Sequence, residues 1–145
     1  MGWLNSGIDI CASGLTAQRL RMDVIASNLA NASTTCTQNG GPYRRQIVII
    51  EARQNPRDFK SLLQDEVAAF SGVRVKEIRT DNSPLRKVYE PSHPDADEEG
   101  YVSYPNVNVV AEMTDMISAS RSYEANLTAL NSLKRMASKA IELGR

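Results

Sequence analysis

The sequence predicts an α+β protein in which two long terminal helices pair as a coiled-coil-like unit and enclose a small, turn-rich β module. Three observations carry this prediction. A heptad-spaced apolar stripe runs from Leu4 to Ala32, a second runs from Met113 to Ile141, and between them Gly, Pro and Asn punctuate short β-branched runs. At 145 residues the chain fits one ordinary domain with extended ends. Residues 1–35 and 106–145 together read as a discontinuous helical assembly domain, and residues 36–105 as a β-rich module.

The first stripe, Leu4, Ile8, Cys11, Leu15, Met22, Ile25, Leu29 and Ala32, alternates steps of four and three, interrupted once where Gln18 falls on it. It requires a helix from Asn5 to Asn31, roughly 40 Å long, with Asn5 or Ser6 as the N-cap. Gly7 and Gly14 lie inside it, and each lowers helix propensity by about 1 kcal/mol against Ala. This helix therefore depends on tertiary or intermolecular packing and is largely unfolded alone. The second stripe, Met113, Met116, Ser120, Tyr123, Leu127, Leu130, Lys134, Ala137 and Ile141, repeats the period on a helix from Asn108 to Leu143, with Gly144 as its stop. Ile117, Leu133, Met136 and Ala140 widen it.

In the middle, Asn39-Gly40-Gly41-Pro42 is turn chemistry and Gln46 to Glu51 reads as a strand. Phe59, Leu62, Leu63, Val67 and Phe70 fit a short helix or an ordered loop, which Gly72 ends. Val73 to Ile78 alternates like a half-buried strand, Leu85 to Tyr89 is expected to pair with it, and Tyr101 to Tyr104 to add a fourth.

Function classes narrow quickly. Lys plus Arg number 17 and Asp plus Glu number 17, so no net field attracts nucleic acid or anionic lipid. No stretch approaches the roughly 18 apolar residues of a membrane span, and the N-terminal segment lacks the pattern of a Sec signal peptide. Cys11 and Cys36 read as free packing thiols. The lone histidine, in Ser92-His93-Pro94-Asp95, has the letters of a catalytic triad, but adjacent residues cannot form its hydrogen-bond chain. Asp95-Ala96-Asp97-Glu98-Glu99-Gly100 imitates the first half of a calcium loop, yet Asn106 stands where a bidentate Glu is needed and the prolines exclude the flanking helices. No catalytic residue, cofactor site or metal site is expected.

The stripes point instead to packing between helices. The small module cannot cover them, so they cover each other, and their flanks remain for further partners. Arg19, Arg21, Asp23, Arg121 and Glu124 flank the stripes, where charges select register. Asn28 and Asn126 invite inter-subunit hydrogen bonds, and Asn31 suits a helix end. The expected assembly surface comprises Leu4, Ile8, Leu15, Met22, Ile25, Asn28, Leu29 and Asn31 with Met113, Met116, Tyr123, Asn126, Leu127, Leu130 and Ile141. An intramolecular hairpin that only dimerises, repeated self-assembly, and helices lying on a membrane surface all fit the pattern.

Ser13-Gly14-Leu15 and Arg21 through Asn31 resemble the N-terminal motif of bacterial flagellar rod and hook proteins. Asn106-Val107-Asn108-Val109-Val110, Glu112-Met113 and Arg121 through Asn126 are similar to their C-terminal motif, and Gly40 through Arg45 with Val88 through Val102 resemble proximal-rod members in particular. The resemblance implies a helically polymerised, non-enzymatic subunit of the basal-body rod. Its paired terminal helices would form the inner tube around the export channel, with the β module outside. It implies copies of itself and other flagellar rod proteins as partners. It also implies passage through the flagellar type III export apparatus, without a cleaved Sec signal, to the periplasmic part of the basal body. A soluble helical-hairpin binding module or export adaptor is the alternative.

Overall fold

Apolar residues recurring every third and fourth position make both chain ends helical, and a computed structural model, which describes residues 2–38, 40–53 and 72–143, brings the two helices side by side. The order is α1 (Gly2–Ala30), β1 (Gln46–Ala52), β2 (Val73–Thr80), β3 (Arg86–Tyr89), β4 (Tyr101–Tyr104) and α2 (Val109–Leu143). The fold is α+β. Residues 56–70, where a short helix or loop is expected, and Gly144 lie outside the described residues.

Helix α1 begins at Gly2, so Asn5 and Ser6 stand inside it rather than capping it. At its other end the backbone N–H and the side-chain amide of Asn31 both donate to the Ser27 carbonyl, at 3.1 and 2.9 Å, which satisfies an orphan acceptor as the chain leaves the helix. Helix α2 opens on Asn108, whose side-chain oxygen accepts from the N–H groups of Val110 and Ala111 at 3.1 and 3.2 Å, an ordinary N-cap.

Strands β1 and β2 form an antiparallel pair from Gln46↔Thr80 to Ala52↔Val73, with an irregularity between Ile49 and Ile50 that leaves Lys76 as an extra residue. Contrary to the expected pairing, β3 does not join β2. It pairs with β4, Arg86↔Tyr104 to Tyr89↔Tyr101, so the described residues of the module form two separate two-stranded ladders. The reason is the short 90–100 loop, closed by Glu90 N–H to the Gly100 carbonyl at 2.9 Å, which makes β3–β4 a local hairpin. Gly100 is buried there at φ 82°, and a Cβ on it would stand 2.9 Å from Tyr89 Cε2.

Among the described residues the buried apolar set is small: Ala17, Val24 and Ile25 of α1, Ala119 of α2, and Val102 of β4. The first four belong to the helices, and β1–β2 packs on the same helix: the Val73 N–H donates to Ser13 Oγ at 3.1 Å. Along α2, Glu112, Met116, Ala119, Tyr123, Asn126, Leu130, Leu133 and Ala137 are buried or half-buried, stepping four and three without a break. This line starts one residue before the expected stripe and shares Met116, Tyr123, Leu130 and Ala137 with it.

Gly7 and Gly14 face this line. A Cβ on Gly7 would stand 3.2 Å from Leu133 Cδ1, and one on Gly14 would stand 2.9 Å from Asn126 Nδ2. The two glycines therefore admit close approach of α2, which offsets their low helix propensity. Gly14→Ala requires only a small Asn126 shift, but Gly14→Leu should force the helices apart and cost about 1–3 kcal/mol of overpacking. Urea unfolding of the purified chain, followed by circular dichroism, will measure both. Gly100→Ala, strained by its positive φ and by Tyr89, should lower the unfolding midpoint as well.

Candidate assembly interface

Asn28 sits in the last turns of α1 with 1% of its surface exposed, where a polar side chain survives only if its hydrogen bonds are complete. Its amide donates to the Gln46 carbonyl at 2.9 Å and to Glu112 Oε2 at 3.0 Å, and its oxygen accepts from the Gln46 N–H at 2.9 Å and from the Tyr43 hydroxyl at 3.0 Å. Both donors and both lone pairs are used within the chain. Asn28 thus has no capacity left for the inter-subunit bond expected of it.

Glu112, also 1% exposed, carries its charge into the same junction from the first turn of α2. Its Oε1 accepts from Arg45 Nε at 2.6 Å, a charge-assisted bond that offsets the desolvation of the carboxylate. The Arg45 guanidinium also approaches Asp81 at 3.8 Å and Asp115 at 3.6 Å, and Asp115 in turn accepts from Arg21 at 3.2 Å. Asn106 joins the group by accepting from the Arg45 N–H at 2.9 Å and donating to the Asp81 carbonyl at 3.1 Å. One continuous polar network therefore links α1, the start of β1, the end of β2 and the start of α2. The Ser83 hydroxyl and N–H, and beyond them Arg45, hold the Asp81 carboxyl below its usual value of 3.8.

Outside this junction α2 presents exposed apolar side chains. Val110 is 74% exposed, Met113 and Ile117 are 56% exposed each, and Leu127, Met136 and Ile141 are also exposed. On α1, Ile8, Leu15, Met22 and Leu29 are half-buried, and Ile25 is buried. Of the expected surface residues, Met116, Tyr123, Asn126 and Leu130 lie on the internal line between the helices, while Met113, Leu127 and Ile141 stand outside it. Asn31 serves the α1 terminus, and Leu4 falls in the first turn, where only the backbone is described. Sequence reasoning missed Glu112, Arg45 and Ala119 as organising residues, and it placed Leu133 on the flank of the stripe rather than on the line between the helices. The signal available was the heptad spacing of Gly7 and Gly14, which marks the close helix face one position away from the most apolar one.

The remaining candidates resolve into loop chemistry. Asp97 Oδ1 accepts from the N–H groups of Glu99 and Tyr101 at 3.1 and 2.8 Å, and Asp95 accepts from the Thr35 hydroxyl at 2.7 Å. His93 Nδ1 accepts from the Asp95 N–H at 3.1 Å. Glu90 accepts the Tyr104 hydroxyl at 3.1 Å and thereby raises the tyrosine pKa above 10.0. Among the described residues no group of three or more His, Cys, Asp or Glu converges as a metal site, and no helix is long and apolar enough to cross a membrane.

Residues 8–35 match the family described as flagella basal body rod protein, and residues 98–143 match the C-terminal family of flagellar basal body rod FlgEFG proteins. Paired terminal helices joined through a small β module, with both ends matched in this way, define a flagellar basal-body rod protein. The chain is 50% identical over 147 aligned positions to the flagellar basal-body rod protein FlgC of Borreliella burgdorferi, covering 97% of each. It is 46% identical to that of Bacillus subtilis, covering 95% of this chain and 96% of the relative, and 42% identical to that of Salmonella typhimurium, covering 94% and 95%. The chain belongs to the FlgC family, and it is a structural subunit of the basal-body rod that assembles with other rod proteins.

Removing one partner of the buried pair leaves the other uncompensated, at about 3–5 kcal/mol. Glu112→Ala should fall at the lower end, because Arg45 keeps Asp81 and Asp115, and Glu112→Gln should cost less; urea titration of both variants will measure this. A depressed Asp81 pKa contributes stability that is present above 3.8 and lost as pH falls through the lower folded value. Asp81→Asn should therefore flatten the acid limb of the unfolding midpoint against pH.

Proposed function

We propose that the chain builds the proximal part of the rod by packing its terminal helices against copies of itself and against other rod proteins. In this reading residues 1–35 and 106–145 form the wall around the export channel and residues 36–105 lie outside it, in the periplasmic part of the basal body. The subunit arrives through the flagellar type III export apparatus without a cleaved Sec signal, and it has no catalytic role. The single observation that carries this reading is the apolar surface α2 retains after pairing with α1: Val110, Met113, Ile117, Leu127, Met136 and Ile141 lie exposed along one helix. So many exposed large apolar side chains are what burial between subunits, at about 25 cal/mol per Å², would stabilise.

The assembly surface then includes Ile8, Leu15, Met22 and Leu29 on α1 with Met113, Leu127 and Ile141 on α2. Leu127 is 41% exposed and off the internal line, so its replacement separates assembly from folding. Leu127→Asp should leave the unfolding midpoint of the free chain nearly unchanged and abolish incorporation into isolated basal bodies. A complete rod built from this variant would overturn the helix-packing reading. His93→Ala should leave swimming in soft agar at the wild-type rate, as a purely structural loop requires.

A further inference from the structure

A groove of about 160 Å³ lies where α1, β1 and α2 meet, beside the polar junction. Val24, Ile25, Ile47 and Val48 supply its apolar lining and Arg21, Arg45, Glu112 and Asp115 its charged lining, of which Arg21 and Asp115 are the more exposed. A space of this order accepts a benzene-sized apolar group. Glu112 and Asp115 line it from α2, and at about 100° per residue the exposed ridge Val110–Met113–Ile117 is centred roughly 160° further round the same helix. Socket and ridge therefore lie on opposite sides of α2. Arg121 and Glu124, both exposed, continue the ridge, and neither takes part in an ion pair among the described residues.

We infer that the Val110–Met113–Ile117 ridge of one copy seats in the α1–β1–α2 groove of a second copy. The apolar lining receives the apolar ridge, and Arg121 and Glu124, which continue the ridge, extend the Arg21–Asp115 pair at the groove into a cluster of four alternating charges. Because donor and acceptor surfaces differ and face opposite ways, the contact is heterologous: each copy keeps a free socket or ridge for the next, which generates a ring or an open helix rather than a closed dimer. This inference rests on the helix-packing reading above and names the surfaces that reading leaves open.

The test is disulfide trapping in isolated basal bodies. The chain carries Cys11→Ser and Cys36→Ser, to remove its free thiols, together with Met113→Cys and Val48→Cys. Mild oxidation should produce dimers and higher oligomers on a non-reducing gel, while either new cysteine alone leaves monomer. Cross-linking by Met113→Cys alone would mean a symmetric contact and would overturn the inference. So would monomer from the double variant in basal bodies that contain the subunit, and in that case the helix-packing reading still stands or falls on Leu127→Asp. Should the cysteine variants fail to incorporate, a photoreactive benzoylphenylalanine at position 110 of the otherwise native chain replaces them. Adducts mapping to residues 46–50 of a second copy support the inference, and adducts confined to other rod proteins refute it.

Discussion

The Glu112 carboxylate is almost fully buried, and the placement of every neighbouring element follows from what surrounds it. A charge in that position is tolerated only with partners in fixed geometry, and here Arg45 comes from the approach to β1 while Asn28 comes from α1. Asn28 then takes hold of the Gln46 backbone from both sides, so the strand starts at a set distance from both helices. Loss of Glu112 removes a partner from both Arg45 and Asn28, which couples these pairs rather than leaving a sum of independent ones. Among the described residues few apolar side chains are fully buried, so a polar junction of this kind has a large share in fixing their geometry.

From that junction the helices run together for most of the length of α1, and small residues decide how closely. Gly7 and Gly14 let Leu133 and Asn126 approach the α1 backbone, and Ala119 is fully buried. The shared face of α2 mixes Ala119 with Met116, Tyr123, Leu130 and Leu133, while Met113, Ile117 and Leu127 stand exposed outside it. For an ordinary monomer such a surface invites aggregation; for a rod subunit it is what the proposed packing between copies would bury. The same division explains why one helix carries two heptad-spaced lines one residue apart, one internal and one outward.

Much of the fold was legible in the sequence because periodicity is a local property. Both long helices, the Gln46 and Val73 strands and the Asn108 start of α2 follow from spacing and capping within a dozen residues. Pairing between strands was less legible: β3 was expected beside β2, whereas the tight loop closed by Gly100 joins it to β4. Half of the internal helix line was misplaced by one residue for a similar reason. Hydrophobicity favours Met113 and Leu127, but the line between the helices holds the buried Glu112 and Ala119 and the half-buried Asn126, whose value lies in charge pairing and small volume.

By itself, then, the sequence determined the fold class, the terminal helices and, through motifs at both ends, membership of the rod proteins. These are properties of short segments whose physics is complete within the segment. Only the tertiary structure decided which helix face turns inward, that Asn28 serves the chain rather than a neighbour, and that Arg45, Glu112 and Asp115 meet. Those outcomes depend on residues far apart in the chain, Asn28 and Glu112 by 84 positions and Arg21 and Asp115 by 94, and on the balance of desolvation against pairing at their meeting point.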